Sequence, residues 1–234
     1  MAAAVPFPPT EPAPSAWDLR GAPMEPGEDL LALGADLEPG TLLAAYRLGL
    51  FPMGVGEGGG DPLGWWCPAS RGVLPPGALH VSRSLRRSLR HLQIRVDTAL
   101  PEVIERCADP SRPGAWITPA VAAAYIRLHE LGWVHSIETW HDGRLVGGLY
   151  GVSIGGLFAG ESMFHAVPDA SKAALVGLVD RFYADGDPRR LIDVQWETPH
   201  LATLGVRSWP RERYLTAVRT ALGAAQVDLA GGAS

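Results

Sequence analysis

Apolar positions along this chain change period several times, and each change marks an element. Between residues 134 and 164 they form three runs, 134–140, 145–152 and 157–164, separated by Asp142-Gly143 and Gly155-Gly156. Runs of this length around Asp-Gly and Gly-Gly predict an antiparallel meander with tight turns. A helical period follows over 170–184, with Asp169 as the capping residue, then a short strand over 191–195 and a short helix over 199–204. Residues two apart in a strand share a face, so Asp193 and Gln195 are expected to project together, with Ile192 and Val194 on the other side. Upstream, the pattern predicts helices over 42–48 with Thr41 as cap, 81–92 and 101–107, a strand over 94–96, and a helix over 119–130. The last begins with Thr118 as cap and Pro119 at its first position. This order of elements defines an α/β (α+β) fold class.

Punctuation divides the chain. Residues 1–27 hold seven prolines and many alanines, a composition expected of a flexible, polyproline-like arm. Five glycines between 54 and 60 interrupt the pattern and mark a boundary region. The expected divisions are an arm over 1–27, a small N-terminal domain over 28–64 and a larger domain over 65–234.

With 47% hydrophobic residues the 234-residue chain can bury a substantial core. No apolar run approaches the roughly 20 residues that span a bilayer, and no basic-then-apolar leader opens the sequence, so the expectation is a cytoplasmic protein without a membrane segment. Cys67 and Cys107 cannot build a disulfide framework, and the scattered histidines lack the paired spacing of zinc sites, so no metal is expected. A net charge of −5 argues against a general polyanion binder. Its distribution changes that picture locally. Arg83, Arg86, Arg87 and Arg90 fall at i, i+3, i+4 and i+7, along one helical stripe, where they face either carboxylates from elsewhere or a polyanion.

Three ordered blocks, Gly160-Glu-Ser-Met-Phe164, Asp169-Ala-Ser-Lys-Ala-Ala-Leu175 and Ile192-Asp-Val-Gln195, resemble the leucyl/phenylalanyl-tRNA-protein transferase family. Further blocks agree: Leu30 to Asp36, Gly49-Leu-Phe-Pro52, Trp65-Trp-Cys-Pro68, Trp116-Ile-Thr118, Leu128 to Gly132, His135 to Glu138 and His200 to Gly205. The resemblance implies transfer of Leu, Phe or Met from aminoacyl-tRNA to the N-terminal Arg or Lys of a protein, marking it for degradation. It also implies a catalytic domain similar to the GCN5-related N-acetyltransferases, with a small N-terminal domain. No cofactor is needed, because the aminoacyl ester is already activated.

The resemblance assigns roles residue by residue. Asp193 and Gln195 match catalytic positions, the acid polarising an amide whose oxygen takes a proton from the attacking amine. Because a neutral amide is a very weak base, Gln195 reads chiefly as the acceptor that aims the amine lone pair and Asp193 as the group that fixes the amide. A loop-capping acid and an amide satisfying a backbone group are the alternative. Glu161 matches the residue that recognises the basic side chain of the acceptor, where a surface ion pair with Arg144 or Lys172 is the alternative. Leu149, Phe158, Met163 and Leu175 match the lining of the aminoacyl pocket, Met163 standing out because a thioether adapts to several guests. Trp116 matches the residue that stacks on the terminal adenine, and the arginine stripe becomes a platform for the acceptor stem. Trp65 and Trp66 read as core. Met53 stands where family members often carry Trp, Val194 where Cys is usual, Thr203 where Ser is frequent, and Trp209 where a smaller aliphatic residue is common. Val194 is expected to face away from Asp193 and Gln195.

Rival chemistries fit less of the chain. An acyl-CoA-dependent N-acyltransferase grips pyrophosphate with a Gly-rich loop opening a helix, whereas His165-Ala-Val-Pro-Asp169 has no glycine and ends on an acid. A serine hydrolase is opposed by Met163-Phe164 after Ser162, which lacks the second glycine of a nucleophile elbow. A non-enzymatic RNA-binding module uses the arginines and leaves Glu161, Asp193 and Gln195 idle.

Overall fold

The computed structural model describes residues 5–21, 27–112 and 114–231. A small antiparallel sheet comes first. It is built from β1 (Leu30–Leu33), β2 (Phe51–Gly54) and β3 (Leu63–Trp66) in the order β1-β3-β2, with α1 (Pro39–Arg47) between β1 and β2. Pro39 starts α1 at its first position, so the helix begins two residues before the expected cap Thr41. The glycine tract forms the β2–β3 loop and is not an interdomain link. β3 itself crosses the boundary expected between residues 64 and 65, because its ladders bind Trp65 and Trp66 to both neighbours.

Seven strands make the main sheet, in the order β10-β4-β9-β8-β7-β6-β5. β4 (Ser70–Leu74) leads to α2 (Arg83–Leu89), β5 (Gln93–Val96), α3 (Leu100–Cys107) and α4 (Pro119–Glu130). The expected meander is β6 (Val134–His141), β7 (Arg144–Ile154) and β8 (Leu157–His165), followed by α5 (Ala170–Phe182) and β9 (Leu191–Asp193). α6 (Pro199–Ala202), β10 (Arg207–Pro210) and α7 (Arg211–Leu222) complete it. The fold is thus α/β, with the meander, helix and return strand in the order expected of an acyltransferase-like sheet. α5 covers one face beside Leu149, Phe158 and Ile192, and α7 covers the other beside Val73, Leu157 and Leu191.

Residues 5–21 run against the expectation of a free arm. Leu131 and Trp133 are hydrogen-bonded to the backbone of Thr10, and Glu11 receives both terminal nitrogens of Arg47 at 2.7 and 2.8 Å. Proline-rich chain needs no ladder to be held when side chains of other elements supply its partners. Residues 1–4 and 22–26 of that stretch lie outside the described residues.

Two local departures from regular pairing shape the centre of the sheet. All main-sheet pairs are antiparallel except β8–β9, which is parallel and only three residues long, from Leu157↔Leu191 to Ala159↔Asp193. Beyond it the two strands separate. In β8 the register against β7 jumps from Gly151↔Gly160 to Tyr150↔Ser162, so Glu161 is an extra, unpaired residue, a β-bulge. The bulge shifts side-chain parity. Phe158 and Met163 are an odd number apart, yet both face the same cavity.

Candidate active site

A cavity of about 300 Å³ opens where β8 and β9 part. Leu149 from β7, Phe158 and Met163 from β8, and Leu175 and Leu178 from α5 line it, together with Ile192, Val194, Leu201 and His200. All four residues expected in an apolar pocket therefore meet there. Three of them, Leu149, Phe158 and Leu175, are buried. Glu161 and Gln195 stand on the same wall, and Arg112 adds a cation, its guanidinium donating to the carbonyls of Cys107 and Met163 at 2.8 and 2.7 Å.

Asp193 and Gln195 do not share a strand face. β9 ends at Asp193, and Gln195 adopts a left-handed backbone with φ 58°. For a non-glycine residue this costs about 1–2 kcal/mol and persists only where the surroundings impose it. Strand alternation sends Ile192 and Val194 toward the cavity and Asp193 to the α7 side; the left-handed turn then swings Gln195 back to the cavity wall. Val194 is accordingly a lining residue and not a bystander.

Gln195 is held at every polar group but one. Its backbone N–H donates to Asp193 Oδ1 at 2.9 Å and its carbonyl accepts from the Gly72 N–H at 2.8 Å. Its Nε2 donates to the Gly160 carbonyl at 2.5 Å and lies 3.4 Å from Glu161 Oε1. Because the Gly160 carbonyl can only accept, the amide orientation is fixed and Oε1 remains as its acceptor. Gly72 is required here: a Cβ would lie 2.5 Å from the Trp196 carbonyl carbon and 2.6 Å from the Glu197 nitrogen.

The Asp193 carboxylate makes no hydrogen bond to the Gln195 side chain. It receives Arg71 Nε at 2.8 Å and Arg71 Nη2 at 2.6 Å, the Tyr214 hydroxyl at 2.8 Å and the Gln195 N–H. Both ion-pair side chains are wholly buried. The Arg71 guanidinium is sandwiched between the rings of Phe51 and Tyr214, 4.7 and 4.5 Å from their centroids.

Glu161 is buried, with Oε2 accepting from the Tyr125 hydroxyl at 2.8 Å; that hydroxyl lies 2.5 Å from the hydroxyl of Tyr46 on α1. Burial pushes the Glu161 carboxyl up to about 7, against the pull of the two tyrosine hydroxyls. Neither alternative partner reaches it as a surface pair: Lys172 binds Asp169 at 2.9 Å, and Glu161 is turned into the Tyr125 side of the sheet. Asp169 caps α5 through its backbone only, while its carboxylate bridges to Ser88 of α2 at 2.9 Å. Hydrogen bonds from Lys172 and Ser88 hold that carboxyl below its ordinary range, leaving negative charge at the start of α5.

Trp116 does not line the cavity. It is half-buried beside the glycine loop, where a Cβ on Gly59 would meet its carbonyl oxygen. Trp65 is core and Trp66 is half-buried against it, their indole N–H groups donating to Gly34 and Met53 carbonyls at 2.9 and 2.8 Å. Arg83, Arg86, Arg87 and Arg90 are exposed, the first three on α2 and the last as its C-terminal cap, and none has a carboxylate partner among the described residues. Trp209 pairs opposite Arg71 across β10–β4 and carries the Arg213 guanidinium 3.9 Å over its ring.

A splayed α/β sheet, an apolar cavity in the split and an amide-and-carboxyl wall define a class: proteins that seat an apolar acyl or side chain beside a polar reaction point. Family models give the particular. The leucyl/phenylalanyl-tRNA protein transferase model matches residues 73–219, and the N-terminal domain model of the same family matches residues 35–69. Leucyl/phenylalanyl-tRNA–protein transferases of Nitratidesulfovibrio vulgaris, Myxococcus xanthus and Aromatoleum aromaticum are 49%, 48% and 47% identical to this chain. The matches cover 84%, 82% and 89% of it, and 85%, 82% and 83% of those relatives. The chain belongs to the leucyl/phenylalanyl-tRNA–protein transferase family. An aminoglycoside N-acetyltransferase solved with CoA overlaps 59% of this chain and 90% of its own at 17% identity, but at a TM-score of 0.31 that overlap defines nothing further.

Sequence reasoning missed Arg71, Tyr214, Tyr125, Tyr46 and Arg112. The only signal for the first two was the polar pair Asp193 and Gln195 in an apolar strand, which demanded a buried counter-charge. Gly160 inside a strand was the signal for the bulge.

Proposed function

We propose that the protein transfers Leu, Phe or Met from aminoacyl-tRNA to the α-amine of proteins beginning with Arg or Lys, in the cytoplasm, and so marks them for degradation. The observation that carries this reading is the junction of the apolar cavity with Gln195 and Glu161. The aminoacyl side chain enters between Leu149, Phe158, Met163 and Leu175, which presents its ester carbonyl to Gln195. The amine nitrogen attacks that carbonyl carbon, a C–N bond forms, the ester C–O bond breaks, and the amine proton passes to the departing ribose oxygen. Gln195 Oε1 accepts an N–H of the amine and aims its lone pair. An α-amine, with an ordinary pKa of about 7.7–8.0, is already about a tenth neutral at pH 7, so placement matters more than a strong base. Glu161, deprotonated when a guanidinium or ammonium arrives, supplies a charge-assisted hydrogen bond that an uncharged acceptor cannot use. The α2 arginines bind acceptor-stem phosphates, and Trp116 stacks on the terminal base.

The test is transfer of labelled leucine from leucyl-tRNA to two peptides that differ only in Arg or Ala at the N-terminus. Label on the Arg peptide alone supports donor, acceptor and reaction together; intact charged tRNA with neither peptide labelled overturns the reading.

A further inference from the structure

We infer that Arg71 and Tyr214 are positioning residues for the transfer step, acting through a fully committed Asp193 carboxylate on Gln195, and that Asp193 itself handles no proton. The inference rests on Gln195 orienting the amine, as proposed above. A carboxylate offers about four acceptor sites. Asp193 fills them with Arg71 Nε and the Gln195 N–H on Oδ1, and Arg71 Nη2 and the Tyr214 hydroxyl on Oδ2. Nothing is left for the Gln195 side chain, and no solvent reaches the pair. A proton moving onto Asp193 would break a bidentate ion pair in a dry interior.

The same four bonds explain how the strained turn is kept. Asp193 fixes the Gln195 N–H, and β4 fixes the backbone around it: the Val194 N–H donates to the Gly72 carbonyl at 2.9 Å, and the Gly72 N–H donates to the Gln195 carbonyl. Arg71 and Gly72 are neighbours on one strand, so the cation that orients Asp193 and the backbone that pins Gln195 move as one body. Tyr214 reaches the same oxygen from α7 and lays its ring on the guanidinium. The positioning device is built on the sheet face opposite the cavity.

Tyr214→Phe is the decisive variant, because it keeps the ring over Arg71 and removes one hydrogen bond. Expected is a fall in kcat of about tenfold or more with KM for both substrates within about twofold, since a small misplacement of an orienting group costs rate and not binding. In a Gln195→Ala background the same change should leave kcat where Gln195→Ala put it, while lowering Tm as it does in the wild type. Unchanged kcat, or an equal loss in both backgrounds, overturns the inference. Arg71→Lys should follow the same dependence on Gln195; should that variant fail to fold, Tyr214→Phe decides alone. A second readout needs no turnover: faster amide exchange and shifted side-chain NH2 resonances of Gln195 in Tyr214→Phe are expected, and unchanged signals overturn it. If the wild type transfers no leucine, the functional reading fails while the resonance measurement still decides the positioning.

Discussion

Two carboxyl groups flank Gln195, and they meet the interior with different partners. Asp193 carries its counter-ion with it into the interior, whereas Glu161 meets only hydroxyls and an amide edge and is pushed up to about 7. A raised acid titrates with a definite sign: the folded state binds the proton more tightly, so stability is full below about 4.5 and is lost as pH rises toward 7. The shift corresponds to on the order of 3 kcal/mol. Glu161→Gln mimics the protonated form, so its stability should be flat across that window and exceed that of the wild type at pH 8, measured by urea denaturation at pH 5 and pH 8. The same variant should lose preference for an Arg over an Ala acceptor, read as the ratio of kcat/KM. Stability gained with selectivity lost would mark Glu161 as a group held at a cost for recognition. For Gln195→Ala, kcat should fall about 100-fold with the donor KM little changed, checked by steady-state transfer kinetics.

Elements differ in how openly the sequence announces them. α4 spans Pro119–Glu130 as expected, because Thr118, Pro119 and the apolar period agree, and the three meander strands are within two residues of their expected ends. β4, β10 and α7 were invisible. β4 reads Ser-Arg-Gly-Val-Leu, with a buried arginine and a glycine where a strand usually shows alternation, and both exist to serve partners far away in sequence. α7 begins Arg-Glu-Arg and hides its buried positions among charges. Four apolar lining residues and both polar groups could be named in advance; the turn that joins them could not, since a left-handed glutamine is imposed by long-range bonds. Gly72→Ala tests that imposition: its Cβ must push the 196–197 backbone, so transfer should drop at least tenfold while far-ultraviolet circular dichroism stays native. α2 offers a separate test. Arg86→Glu with Arg87→Glu should weaken tRNA binding and lower the slope of log K against log salt by about 2, with peptide KM unchanged.

At the level of the molecule, one hydrophobic cluster runs from the small sheet through α3 and α4 to β8, joining Leu42, Phe51 and Trp65 to Tyr150 and Phe164. Through it the N-terminal part reaches the cavity wall: Tyr46 on α1 ends the hydroxyl chain that begins at Glu161. Tyr46 pulls the Glu161 carboxyl down, so Tyr46→Phe should move the acidic limb of acceptor KM to higher pH, seen in a pH series with an arginyl peptide. The two faces of β9 carry different duties. Ile192, with Val194 just beyond the strand, lines the cavity, while Asp193, on the reverse, accepts the Gln195 N–H. If the proposed transfer holds, a lineage or an engineer can rewrite which side chain is delivered without disturbing how delivery is performed, because the two properties are inherited on alternate residues of one short segment.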